Sequence, residues 1–159
     1  MSIERFNILE CSISAVDMET AYLAVFDRIQ SKEGGYVCFS NVHTVVTAKQ
    51  DEALRDATNN AYIAMPDGRP LSIVGRWKGV SNVRQVAGPD FMPYFFEHAK
   101  GIKHYFYGST PETLEKLVTN FSALYPEAII VGTYSPPFRE LTKDEIENDL
   151  KGYVKVVVV

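Results

Sequence analysis

The chain has 159 residues, 46% of them hydrophobic and 12% aromatic, which is enough for one domain with a sizeable core. A net charge of −4 leaves no broad basic surface for duplex nucleic acid. Cys11 and Cys38 are far apart in apolar contexts, the N-terminus lacks a signal-peptide core, and no apolar run reaches membrane-spanning length. Together these exclude a disulfide scaffold and a helical membrane protein, and set a cytoplasmic location with reduced thiols as the expectation.

In chain order, Phe6 to Ile13 reads as an opening strand or hairpin. Asp17 is placed to cap a helix carrying Met18, Ala21, Tyr22, Val25, Phe26 and Ile29 at helical spacing. Lys32-Glu33-Gly34-Gly35 ends it. Tyr36 to Ser40 predicts a buried strand, with Asn41-Val42-His43-Thr44 as the turn at its carboxyl end. A helix from Val45 to Asn59, broken near Gln50-Asp51, leads to a strand over Tyr62–Met65.

The next stretch organises the rest. The strand stops at Pro66 and delivers Asp67 to the point where the backbone turns. Gly68 eases that turn, and Pro70 suits the first turn of a helix through Leu71, Ile73, Val74 and Trp77. Ligands bind at the carboxyl ends of strands in open α/β sheets, so Asp67 is a candidate base. An Asp before a helix is equally an N-cap, and spacing alone does not separate the two readings.

A polar connector from Gly79 to Gln85 leads to an aromatic helix opening at Pro89 or Asp90 and stopped by Gly101. Lys103 to Tyr107 is a strand, Gly108-Ser109-Thr110-Pro111 a turn, and Pro111 to Leu124 a helix capped by Ser109 or Thr110. Free amides at such a turn suit a phosphate. Ala128 to Val131 is a strand, followed by a loop from Gly132 to Phe138. Thr142 and Glu145 form a capping box for a helix to Leu150, and Val154 to Val159 reads as a final strand. Strands alternating with helices at these intervals predict an α/β fold, a mostly parallel sheet with helices on both faces in a single domain over 1–159.

No GxGxxG, GxxxxGK[ST] or GxSxG is present, and no Asp-x-Asp. His43, His98 and His104 do not pair at metal-ligand spacing, so a diphosphate here would be met by amides and Arg, with no metal and no other cofactor. Ordinary packing or surface roles are the expectation for His98 and His104.

Five ordered motifs are similar to those of the WecG/TagA/CpsF family of bacterial glycosyltransferases. They are Asn41-Val42-His43, Met65-Pro66-Asp67-Gly68, Val86-Ala87-Gly88-Pro89-Asp90, Tyr107-Gly108-Ser109 and Val131 through Phe138. The resemblance runs from about Phe6 to Leu150. It implies a Rossmann-like core and inverting, metal-independent transfer of a sugar from a UDP-sugar to a polyprenyl-diphosphate-linked acceptor. That sugar would be N-acetylmannosamine-like or a hexose, added in cell-surface polysaccharide synthesis at the inner face of the cell membrane. Under it, Asp67 is the general base. Asn41, His43, Thr44 and Gly68 line the substrate from the first two strand ends, with Arg84 and Gln85 from the connector. Gly108, Ser109 and Tyr134 complete the set.

Two departures stand out. The family often has Thr where this chain has Phe39, next to Ser40, and usually Arg where this chain has Gln85, next to Arg84. Family members also continue past the final strand into a Gly-rich turn and a basic segment. The alternative reading is therefore a UDP-sugar-binding fragment without turnover. A third, an assembly role through homo-oligomer contacts, rests on the apolar terminal strand and the aromatic helix.

Overall fold

Short apolar strands alternating with amphipathic helices give an α/β architecture in the computed structural model, which describes residues 3–139 and 142–150. The chain groups into two compact units, the first running to Phe95 and the second starting at Phe96.

The first unit opens on an antiparallel hairpin, β1 (Arg5–Ile8) and β2 (Cys11–Ser14). Its two turn residues, Leu9 and Glu10, have φ of 49° and 72°, the twist a tight hairpin requires, without the usual glycine. Asn7 Oδ1 stabilises that turn by accepting from the Glu10 amide at 2.9 Å. Helix α1 (Met18–Gln30) starts where Asp17 accepts from the Thr20 amide, and buries Ala21, Ala24 and Val25.

Next come β3 (Val37–Ser40), α2 (Val42–Thr47), α3 (Glu52–Asn60), β4 (Ile63–Pro66) and α4 (Arg69–Trp77). Strands β3 and β4 pair in parallel with Ser40 opposite Pro66. Every residue of β4 is buried, as expected of a parallel strand covered on both faces. Ala64 also donates its amide to Ser14 Oγ, which joins β2 to this layer. The Arg5 guanidinium donates to the carbonyls of Ser12, Asn59, Ala61 and Tyr62, fastening the hairpin to the α3–β4 junction. Phe6, Ile13, Val45, Leu71 and Val83 belong to the core between these elements. Each fully buried aliphatic side chain of this kind contributes about 1.5–3 kcal/mol.

The connector after α4 is polar in composition, yet Val80, Val83 and Val86 anchor it in the core. Gly75 permits this: a Cβ there would stand 2.8 Å from both Phe6 Cζ and Val83 Cγ1. Helix α5 (Gly88–His98) follows, and the division between units falls within it.

The second unit pairs β5 (Lys103–Tyr107) with β6 (Ile129–Tyr134) in parallel, joined by α6 (Pro111–Leu124). Strand β6 runs through Thr133 and Tyr134, which the sequence reading assigned to a loop. Pairing continues because a bulge shifts the register after His104, setting Gly132 opposite Tyr105. Glycine is needed there, since a Cβ would lie 2.8 Å from the Tyr105 ring. Helix α7 (Lys143–Leu150) carries the expected capping box: the Thr142 amide donates to Glu145 Oε2 and the Glu145 amide to Thr142 Oγ1. The expected strand over Val154–Val159 lies outside the described residues. Both cysteines are free thiols, Cys11 buried and Cys38 half-buried.

Candidate active site at the ends of β3 and β4

Parallel pairing brings the ends of β3 and β4 side by side. The Asp67 amide donates to the Ser40 carbonyl at 2.9 Å, so Asn41 and Asp67 leave the sheet together. A Cβ on Gly68 would lie 3.4 Å from Asn41 Cα, which shows how closely the two strand exits run. The connector closes on the same place. Val86 donates its amide to the Pro66 carbonyl at 3.0 Å, and Gln85 Nε2 donates to the Asp67 carbonyl at 2.6 Å.

Asp67 does not cap α4. The N-cap is Gly68, with no side-chain hydrogen bond, and Pro70 in the first turn removes one amide that would need a partner. Among the described residues the Asp67 carboxylate has no hydrogen-bond or ion-pair partner. Burial, and secondarily the Asp90 carboxylate in the first turn of α5, push its pKa above the ordinary carboxylate value. A half-buried carboxylate at a strand end, with a raised proton affinity and a second carboxylate near it, is suited to accept a proton. Asp90 is the residue the sequence reading left out of the site. Its signal was present, since it closes the Val86–Asp90 motif.

Asn41 is not in a turn, as the sequence suggested, but is the N-cap of α2. Its Oδ1 accepts from the Thr44 amide at 3.0 Å and from Thr44 Oγ1 at 3.3 Å, which starts the helix immediately after β3. Thr44 is thereby held in the cap, His43 is exposed in the first turn, and the two Asn41 N–H donors are uncommitted among the described residues. Ser40 is fully buried, and its Oγ has no hydrogen-bond partner among the described residues. Phe39, which stands where the family often has Thr, packs on Gly88 and Phe91 instead.

Arg84 and Gln85 face different tasks. Gln85 reaches Asp67, whereas Arg84 Nη1 donates to the carbonyls of Ser81 and Val83 in its own connector.

The remaining candidates lie in the second unit and form a cluster of their own. Gly108 and Ser109 have φ of 116° and 60°, a left-handed turn that is strained at the serine. The Gly108 amide donates to the Tyr134 carbonyl at 2.9 Å, and Ser135 Oγ donates to the Ser109 carbonyl at 2.7 Å. Thr110, not Ser109, is the N-cap of α6. His104 packs as expected, stacked on Phe96 with ring centres 3.9 Å apart, and burial lowers its pKa to about 4. No three His, Cys, Asp or Glu side chains among the described residues gather closely enough to hold a metal ion.

These features define an α/β protein with a half-buried carboxylate of raised pKa at the exit of a parallel strand. Residues 6–158 match the glycosyl transferase WecG/TagA/CpsF family, nearly the whole chain. The chain belongs to that family, whose members are glycosyltransferases of cell-surface polysaccharide synthesis that take a sugar donor and a lipid-linked acceptor. A comparison with curated proteins finds no match. No helix among the described residues is long and apolar enough to cross a membrane.

Proposed function

We propose that the chain is an inverting glycosyltransferase that uses a UDP-sugar and a polyprenyl-diphosphate-linked acceptor, with Asp67 as general base. The observation that carries this reading is the uncapped, half-buried Asp67 carboxylate, its pKa raised, alongside Asn41 at the paired strand ends. Asp67 takes the proton of the acceptor hydroxyl as that oxygen forms its bond to the anomeric carbon. The bond from that carbon to the diphosphate oxygen breaks on the opposite face, and UDP leaves with the electron pair. A raised pKa brings the base nearer the working pH, where general-base help is worth ~10²–10⁴-fold.

The Asn41 N–H groups would hold a sugar hydroxyl, with His43 and Gly68 beside it. Arg69, exposed directly after Gly68, is the donor proposed for the departing diphosphate. Gln85 keeps the Asp67 backbone in place through its carbonyl. Arg84 would join the diphosphate only by leaving the Ser81 and Val83 carbonyls.

Calorimetric titration with UDP tests the donor, and transfer of a radiolabelled sugar to a short-chain lipid-diphosphate acceptor tests the reaction. Binding with transfer is the expected result. Binding without transfer would reduce the chain to a UDP-sugar-binding fragment, and absence of both would overturn the reading.

A further inference from the structure

Helix α4 has two apolar faces, and only one of them is buried. Leu71, Ser72 and Gly75 point into the core and are all buried. At about 100° per residue, Pro70, Ile73, Val74 and Trp77 form a second stripe on the opposite side, at i, i+3, i+4 and i+7. Ile73 and Val74 are half-buried, Pro70 is exposed, and Trp77 is 82% exposed. An indole left this open by a soluble core is uncommon.

Cations surround that stripe. From Gly68 to Pro89 the sequence holds Arg69, Arg76, Lys78 and Arg84 and not one Asp or Glu, although the whole chain is acidic. Arg76 and Arg84 both direct Nη1 to the Val83 carbonyl, at 3.2 Å and 2.8 Å, so two guanidinium groups converge on one oxygen. Neither forms an ion pair among the described residues, nor does Lys78. Arg84 does act on the Asp17 carboxylate, but the pKa of Asp17 is lowered mainly by its hydrogen bonds to Thr20 and least by that guanidinium. Like charges gathered without a carboxylate between them favour an anion that arrives from outside.

We infer that the outer face of α4, with Trp77 at its carboxyl end and Arg76, Lys78 and Arg84 around it, rests on an anionic phospholipid surface. A short apolar stripe led by tryptophan and bordered by Lys and Arg is the pattern of a helix lying in a membrane interface. The indole enters the headgroup boundary while the long cationic side chains reach the phosphates. This contact takes its purpose from the lipid-linked acceptor of the reading above, since it would hold the β3–β4 strand ends at the membrane where that acceptor is found.

Trp77 is the single tryptophan of the chain and reports on its own environment. The full chain is mixed with vesicles of phosphatidylcholine alone or of phosphatidylcholine with phosphatidylglycerol, and with brominated forms of each. The expected result is a blue-shifted emission, quenched by brominated lipid, on anionic vesicles only. In cosedimentation, Lys78→Ala should weaken binding about fivefold, the effect of one surface charge. Trp77→Ala should weaken it about tenfold through lost apolar contact. Both variants should keep wild-type UDP affinity and wild-type transfer to a water-soluble short-chain acceptor, whereas Asp67→Asn should bind vesicles normally. Unchanged emission on anionic vesicles, or binding without quenching, would overturn the inference. So would a blue shift that follows protein concentration without lipid, which would assign this face to a second copy. Loss of transfer in wild type with Trp77 still quenched would instead defeat the catalytic reading and leave the lipid contact standing.

Discussion

The two units use the same strand–helix–strand unit and stabilise it differently. In the first, β4 is buried along its whole length, and Cys11, Ile13, Ile63 and Met65 have no exposed surface. Among the described residues of the second, only Phe96, Ala99, Tyr105 and Leu114 are buried, and β6 leaves Ile129 and Val131 largely open. What replaces an aliphatic core there is an aromatic cluster: Phe96 meets His104, Phe106, Phe121 and Tyr125 with ring centres between 3.9 and 5.8 Å apart. The first unit therefore sets Asp67 at the end of a fully buried strand. The second holds a strained turn at Ser109 with far less buried surface behind it.

The largest effect should come from removing the acid itself. Asp67→Asn keeps the shape and deletes the base, so turnover should fall ~10²–10⁴-fold in the transfer assay with UDP affinity little changed. Equal turnover would remove Asp67 from the mechanism. The sign of its stability effect is also fixed. A carboxyl whose folded pKa is raised favours folding less as pH climbs through that pKa, so Asp67→Asn should melt slightly higher than wild type at neutral pH. The difference should vanish in acid.

Packing provides the next contrast. Gly75→Ala drives a methyl against Phe6 and Val83 and should cost about 1–3 kcal/mol in denaturant unfolding. A neutral outcome would mean that the first core is looser than its burial implies.

Acid should separate the units. His104 has a folded pKa of about 4 against an ordinary 6.5, so its contribution is present above pH 6.5 and is lost as pH falls toward 4. Near-ultraviolet circular dichroism should show the second unit's aromatic signal weakening across that window. His104→Phe should flatten the response, and an unchanged slope in that variant would show that other groups set it. The smallest effect is expected at a cap. Thr110→Ala removes the acceptor for the Thr113 amide and should lower stability by about 1 kcal/mol, read as a modest drop in melting temperature.

Much of this was legible in the residues. The hairpin, the Asp17 cap, the break at Gln50-Asp51, the span of β5 and the Thr142–Glu145 box all follow from local patterns, because caps and periodicity act within a few residues of themselves. Where the reading slipped, a partner distant in sequence decided. Tyr134 belongs to a strand because β5 lies beside it and Gly132 admits the Tyr105 ring. Asn41 reads as a turn until its Oδ1 is seen to start α2.

The family and the α/β class were thus set by ordered short motifs and by the alternation of apolar patterns, both written along the chain. Whether Asp67 caps a helix or stands ready to take a proton could not be read there, since either role needs the same residue before the same Gly-Arg-Pro. Tertiary structure placed the cap on Gly68 and gave Asp67 its surroundings: a parallel register that joins it to Ser40, a connector that brings Gln85 to its carbonyl, and an Asp90 near enough to raise its pKa. A proton affinity depends on burial and on neighbouring charge, and both are properties of the folded arrangement.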